Sequence, residues 1–364
     1  MTALLRRLVL LLLLVAGLVG VEYATDVDVP GLDGEALRTA AWEAVEGVSR
    51  TGTGTGSAWI DELFSPDVLS ALPEEGLRAA EASVDDILSG SDRPQPPAAM
   101  PDGQDTHARV VSWNLYNFGR TKDDQEIAVA AQTLRDFDLV AVQEVVTSPP
   151  GAQAIGKLDD ALDRTGFAWD YRISDPTTGD GTERYAFLWK PSRVRLVGRA
   201  WLEPSLADAM DREPYLARFE HRQTGQQFLV ASLHAVPSSK NPAHEIALLD
   251  ALHRQYEADH VLLLGDFNLD EDDTAFNELR GLGYRAALDD QLTSLRRKRD
   301  PGPQGHLANE YDNIFYEAGP LRAARAGVLD FTNEFSSLKE ARSLSDHLPV
   351  FMDVQWTAPP PAPQ

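Results

Sequence analysis

Six apolar runs after residue 108 constrain the fold more than any other feature of the chain. "RVVSWNL", "DLVAVQEV", "YAFLWK", "QQFLVASLHA", "HVLLLGDF" and "LPVFMDVQW" have the length and composition of β-strands. Several are apolar at consecutive positions, so both of their faces need cover. Helical periodicity falls between them, around Ile127–Leu134 and over residues 241–256. In the second stretch Asn241 is placed to cap a helix and Pro242 to open its first turn. Leu248, Leu249, Leu252 and Tyr256 would then form its apolar stripe. Strands and helices mixed within one stretch of about 250 residues predict a single layered α/β domain.

Polar residues fall at the ends of these runs. "VVSWNL" ends near Asn114, "LVAVQEV" near Glu144, "FLVASLHA" near His234 and "VLLLGDFN" at Asp266 and Asn268. "SLSDHLPV" enters its strand at Asp346 and His347. Alternate side chains share a face in an extended chain, so Asp266 and Asn268 point the same way while Phe267 packs inward. One such end is a strand stopping in a polar turn. Five share a need for a partner, because a polar group at the edge of a core must be satisfied. A hard divalent cation with oxygen ligands is the simplest shared partner, with two histidines for proton transfer.

Composition narrows the field. The 364 residues are 43% hydrophobic, which excludes general disorder. A net charge of -24 argues against non-specific adhesion to nucleic acid or anionic lipid, so phosphate chemistry needs a cation or local arginines. The absence of cysteine removes disulfides, thiolate metal sites and a cysteine nucleophile. Residues 1–24 place Arg6 and Arg7 before an uncharged run from Leu8 to Val21, the pattern of a signal peptide or a short membrane anchor, and predict export. Residues 25–105 read as an acidic region of amphipathic helices, closed by the Pro/Gly-rich linker "SGSDRPQPPAAMPDGQD". The catalytic domain is expected over 106–357, with a Pro-rich tail at 358–364.

In order along the chain, "SWNL", "QEV", "SLH", "GDFN", "YDNIF" and "SDHLPV" resemble the endonuclease/exonuclease/phosphatase superfamily. "ERYAFLWKPSRVRLV" and "DREPYLARF" are most similar to its deoxyribonuclease I branch. The resemblance implies a four-layered sandwich, two packed mixed β-sheets flanked by helices, with the active site at one edge. It assigns Asn114, Glu144, Asp266, Asn268 and Asp346 as metal and phosphate ligands. It pairs His234 with Glu183 and His347 with Asp312, and gives Arg212 a nonbridging phosphate oxygen. His347 would then activate water and His234 protonate the departing oxygen, with the two roles exchangeable. The implied cofactor is Mg2+, with Mn2+ as a substitute and Ca2+ as a structural ion.

The chain also departs from that branch. Val146 stands where an arginine entering the minor groove is expected, Gly181 and Thr182 where a tyrosine packs on the sugar, and Tyr116 where a basic residue is expected. Without cysteines, the loop before Arg212 must be held by packing or ions. The dense basic cluster Arg296, Arg297, Lys298 and Arg299 is a candidate nucleic-acid contact or a plain solvated loop. Together these features predict an exported, monomeric Mg2+-dependent phosphodiesterase with DNA as its substrate. A sphingomyelinase-like or inositol-phosphatase-like enzyme at a membrane surface and a membrane-tethered non-catalytic module remain as alternatives.

Overall fold

β1 (His107–Phe118) and β2 (Leu139–Val145) run parallel with Asn114 opposite Gln143. β7 (Gln227–His234) and β8 (Val261–Asp266) run parallel with His234 opposite Asp266. Each pair forms the middle of a six-stranded sheet in the computed structural model, which describes residues 106–357 apart from Ala258 and Pro303. The expected leader, the acidic helical region and the Pro-rich tail lie outside the described residues.

The first sheet adds β3 (Asp170–Ile173), β4 (Arg184–Trp189), β11 (Leu321–Val328) and β12 (Val350–Trp356), in the order β11-β12-β1-β2-β4-β3. The second adds β5 (Val194–Leu202), β6 (Tyr215–His221), β9 (Tyr284–Ala286) and β10 (Asp312–Glu317), in the order β5-β6-β7-β8-β10-β9. Apart from the two parallel pairs, neighbouring strands are antiparallel. This is the mixed-sheet sandwich that the family resemblance implied.

Alternation along the strands divides the apolar residues between three cores. Val110, Ala141, Phe187, Phe219, Val230 and Leu264 meet between the sheets. Their neighbours Val111, Trp113 and Val142 face outward onto α1 (Asp124–Leu134), α2 (Pro149–Asp163) and α6 (Leu338–Leu344). Leu229, Ala231 and Leu263 face α3 (Ala243–Ile246), α4 (Asp250–Gln255) and α5 (Asn277–Gly281) on the opposite side. Consecutive apolar residues are thus explained by helices on both outer faces. Phe219 sits edge-on to Phe187 and Trp189, and truncating it to alanine costs about 3–5 kcal/mol.

Residues 241–256 differ from expectation. They form two short helices rather than one, and Asn241 takes a left-handed conformation that closes the turn Ser238–Lys240 instead of capping a helix with its side chain. Leu249 and Leu252 are buried as the stripe required, whereas Leu248 and Tyr256 are half-buried. Trp113 and Trp189 are core residues, as expected from their places inside strands.

Candidate active site

The two parallel pairs end at the same edge of the sandwich, and their last side chains build the site. At the end of β8, Gly265 has φ +142°, and a Cβ there would lie 1.9 Å from the Leu233 carbonyl oxygen. Glycine is therefore needed for β8 to approach β7 closely enough to set Asp266 beside His234. One Asp266 oxygen accepts from the Asn268 backbone N–H at 2.9 Å, and the Asn268 amide donates to the Ala235 carbonyl at 3.0 Å. Phe267 packs inward against Phe276 and Phe315. "GDFN" is thus a strand end whose hydrogen bonds fix one carboxylate and one amide.

Glu144 lies next to the end of β2, at an irregularity in its pairing with β4, with φ +60°. A non-glycine residue in that region is strained and needs surrounding contacts to hold it. Glu144 Oε2 accepts from Asn117 N–H at 2.7 Å, and its own N–H donates to Glu183 at 3.2 Å. Asn114 Nδ2 lies 3.0 Å from Glu144 Oε1 and 3.2 Å from Asp266 Oδ2, while its oxygen accepts from Tyr116 N–H at 3.0 Å. Asn114 thus spaces the two carboxylates with its amide nitrogen. Asp346, at the entry to β12, pairs with Arg342 at 3.1 Å.

Two imidazoles converge on one oxygen. His234 Nε2 lies 3.4 Å and His347 Nε2 3.5 Å from Asp266 Oδ2. Behind them, Glu183 Oε2 is 2.9 Å from His234 Nδ1, and Asp312 Oδ2 is 2.7 Å from His347 Nδ1. Both expected pairs are therefore present. Asp312 lies opposite Asp266 in the β8–β10 register, so the sheet itself delivers His347's partner. Burial disfavours charge on His234, as does Arg212, but the Glu183 and Asp266 carboxylates together hold the imidazole above its ordinary value. Burial likewise opposes charge on His347, and Asp312 and Asp266 together push it well above the usual range. Asp312 is itself pushed up, first by burial and then by Asp266, against the pull of His347.

Arg212 is 6% exposed and faces the backbone of β7's end. Its Nε donates to the His234 carbonyl at 2.8 Å, Nη2 to Ala235 at 2.7 Å and Nη1 to Gly181 at 3.4 Å. Two of its five N–H groups hold the His234 segment and a third holds Gly181, which leaves two for the phosphate contact expected of it. The neighbouring loop is tied without cysteine. Glu245 accepts from Asp211 N–H at 2.7 Å and from Val236 N–H at 2.8 Å, and Glu213 accepts from Thr178 N–H at 3.0 Å. Hydrogen bonds to buried carboxylates do the bracing that the sequence left to packing or ions.

Glu144, Glu183, Arg212, His234, Asp266, Asn268, Asp346 and His347 all line one cavity of about 500 Å³. Asn114 and Asp312 lie beneath it through the hydrogen bonds above. Arg296, Arg297, Lys298 and Arg299 do not line it. They are exposed on an excursion closed by the Leu295–Leu307 bridge, whose root beside Ser294 pairs with His347. Arg296 is partly spent on the Leu307 carbonyl at 2.6 Å and on Asp300 at 3.3 Å. Sequence reasoning missed Thr293, whose buried hydroxyl donates to Asp312 Oδ2 at 2.8 Å. It lies in a loop nineteen residues before its partner, with no local pattern to mark it.

The donor set fits a hard divalent cation. Glu144 and Asp266 bring carboxylate oxygens to either side of one amide, and no thiolate competes. Among the described residues, Asp266, Asp312 and His347 form a cluster with ligand atoms within 4.8 Å of one another. Its closeness owes much to the His347–Asp312 hydrogen bond, which suits proton transfer better than chelation.

Residues 111–347 match the model of the Endonuclease/Exonuclease/phosphatase family. A deoxyribonuclease from Thioalkalivibrio sp. (strain K90mix) is 32% identical over 281 residues, covering 71% of this chain and 72% of that protein. Deoxyribonuclease-1-like 2 of Homo sapiens is 26% identical over 280 residues, covering 68% of this chain and 92% of the relative. Among solved structures, an endonuclease/exonuclease/phosphatase family protein from Bacteroides thetaiotaomicron aligns at TM-score 0.54 and 19% identity, over 70% of this chain and all of that one, a likeness of fold. Motif order, sandwich topology and paired histidines agree with these matches, and the chain belongs to the Endonuclease/Exonuclease/phosphatase family, in its deoxyribonuclease I branch.

Proposed function

We propose that the protein is a Mg2+-dependent endonuclease that hydrolyses DNA phosphodiester bonds. The observation that carries this reading is the pair of imidazoles converging on Asp266 Oδ2, each backed by a buried carboxylate on its other nitrogen. A carboxylate accepting from Nδ1 fixes the tautomer, orients the ring and leaves Nε2 to exchange a proton with substrate or water. His347, held by Asp312, takes a proton from water as its oxygen forms a bond to phosphorus. His234, held by Glu183, donates a proton to the departing oxygen as the P–O bond breaks. The products are one free hydroxyl and one phosphomonoester.

Glu144 and Asp266 would hold the cation, with Asp346 and Asn268 at the cavity wall. When bound, Mg2+ would neutralise charge developing on the phosphate and oppose the carboxylate charges that raise the two imidazoles. Arg212 supports the site by fixing the His234 backbone and turns its remaining N–H groups to a phosphate oxygen.

DNA as substrate is supported by the relatives named deoxyribonucleases. Export, as a secreted or anchored protein, is supported by the N-terminal leader pattern alone, and the domain limits of 106–357 by the linker composition. The test is a parallel assay of the purified protein on plasmid DNA, RNA, sphingomyelin and a small phosphodiester, with Mg2+ and with chelator. The reading requires DNA to be cut; turnover of sphingomyelin with intact DNA would replace it with the lipid alternative.

A further inference from the structure

Tyr116 stands at the cavity wall with 42% of its surface exposed, a large ring left open to solvent. Its position is costly. Tyr116 has φ +41° and Asn117 φ +51°, both in the left-handed region that bulky side chains avoid. The two backbone N–H groups of this irregular stretch of β1 bind Asn114 at 3.0 Å and Glu144 at 2.7 Å. The ring is therefore registered directly to the groups that flank Asp266. From behind, Lys122 Nζ sits over one face at 5.6 Å from the ring centroid, and is itself tied to the Ser343 carbonyl and, at 2.7 Å, to that of Leu344. A cation on one face leaves the other for an occupant.

We propose that Tyr116 is a stacking platform for a ring of the nucleotide flanking the scissile phosphate, either its base or its deoxyribose. The inference rests on the DNA-phosphodiesterase reading of the cavity. Rings of nucleic acid are sequence-tolerant partners for an aromatic face, whereas a small phosphoester offers nothing to cover it. An aromatic contact also suits this chain, whose overall charge of -24 weakens attraction to the backbone. The chain thus grips through a ring where its branch leads one to expect a basic side chain.

The experiment uses the full chain and short oligonucleotides with one cleavable phosphodiester between nuclease-resistant linkages. The flanking nucleotide is intact, abasic, or replaced by a propanediol spacer. Tyr116→Ala and Tyr116→Leu should each raise KM about tenfold on the intact substrate with kcat changed less than about twofold, and Tyr116→Phe should match the parent. Thermal melting checks that the variants remain folded, the exposed ring making Leu the safer of the two. Loss of the penalty on the abasic substrate assigns the contact to the base, and loss only with the spacer assigns it to the sugar. A penalty that persists with the spacer, or none on the intact substrate, overturns the platform while leaving the nuclease reading standing. A parent protein that cleaves no oligonucleotide overturns both.

Discussion

His347 Nδ1 lies 2.7 Å from Asp312 Oδ2, and the Thr293 hydroxyl reaches the same oxygen at 2.8 Å. One carboxylate oxygen thus holds the imidazole while a second donor holds the carboxylate. Asp312→Asn should lower kcat by about 10²–10⁴ with little change in KM, because it removes the acceptor that fixes the ring. Thr293→Val should cost about 10–100-fold, and Thr293→Ser should recover most of it. Steady-state kinetics on plasmid DNA with circular dichroism for fold decide the matter; an active Asp312→Asn variant would remove the pair from the mechanism.

His234 and His347 are expected to be separately indispensable. Alanine at either position should lower turnover by about two to four orders of magnitude while the melting temperature stays near the parent's. A loss below tenfold for both would take proton transfer away from these imidazoles.

How much of this was legible in the sequence depends on where a strand sits. The six runs that read as strands became β1, β2, β4, β7, β8 and β12, central or next to the centre of their sheets. The edge strands β3, β5, β9 and β11 were not among them, because an edge is half solvated and carries polar residues such as Arg195, Arg199, Arg322 and Arg325, and neither were the interior β6 and β10, whose apolar runs are broken by Arg218, Glu220, Asp312 and Asn313. Site residues at the ends of central strands were readable because a polar group there interrupts an apolar run. Thr293 and Glu245 were not. Both act from loops or short helices through contacts that only the tertiary fold creates.

Arg212 supplies a contrast between charge and shape. Arg212→Met removes the cation beside Glu183 and the guanidinium donors to the His234 and Ala235 carbonyls, while Glu183 keeps His234 and Ala235 keeps the Asn268 amide, and should destabilise the fold by roughly 1–3 kcal/mol. Arg212→Lys keeps the charge but not the planar fork, so it should regain stability more than kcat. Urea denaturation read beside kinetics separates the two effects; a lysine variant with full activity would show that the fork is dispensable.

The basic excursion offers a test of electrostatic positioning. Replacing Arg296, Arg297, Lys298 and Arg299 with glutamine should weaken duplex cleavage and flatten its salt dependence by up to about 0.9 in slope for each phosphate that is no longer neutralised. Turnover of a small phosphodiester should barely change. Equal losses on both substrates would make the loop a support of the fold, and no loss on either would make it a solvated charge run.

His221 predicts a pH effect away from the site. It is buried against Trp356, with ring centroids 5.3 Å apart, and its Nδ1 lies 3.0 Å from Thr224 Oγ1. Burial, followed by the charges of Arg193 and His107, lowers its pKa from 6.5 to about 4. The unfolded chain therefore takes up a proton that the folded one resists, so stability falls as pH drops from about 6.5 toward 4 and is unaffected by this group above that window. His221→Phe keeps the ring stack without the proton, and its urea midpoint should fall less between pH 7 and pH 4.5. An identical pH profile would exclude His221 as a source of acid sensitivity.

The most direct test of the account is cleavage of supercoiled plasmid by the purified protein, with Mg2+ and then with excess chelator followed by Mg2+ add-back. Nicked and then linear DNA should accumulate with Mg2+, stop with chelator and resume on add-back. DNA left intact with both Mg2+ and Mn2+, or cut equally well in chelator, would contradict a metal-assisted DNA hydrolase at the meeting point of these strands.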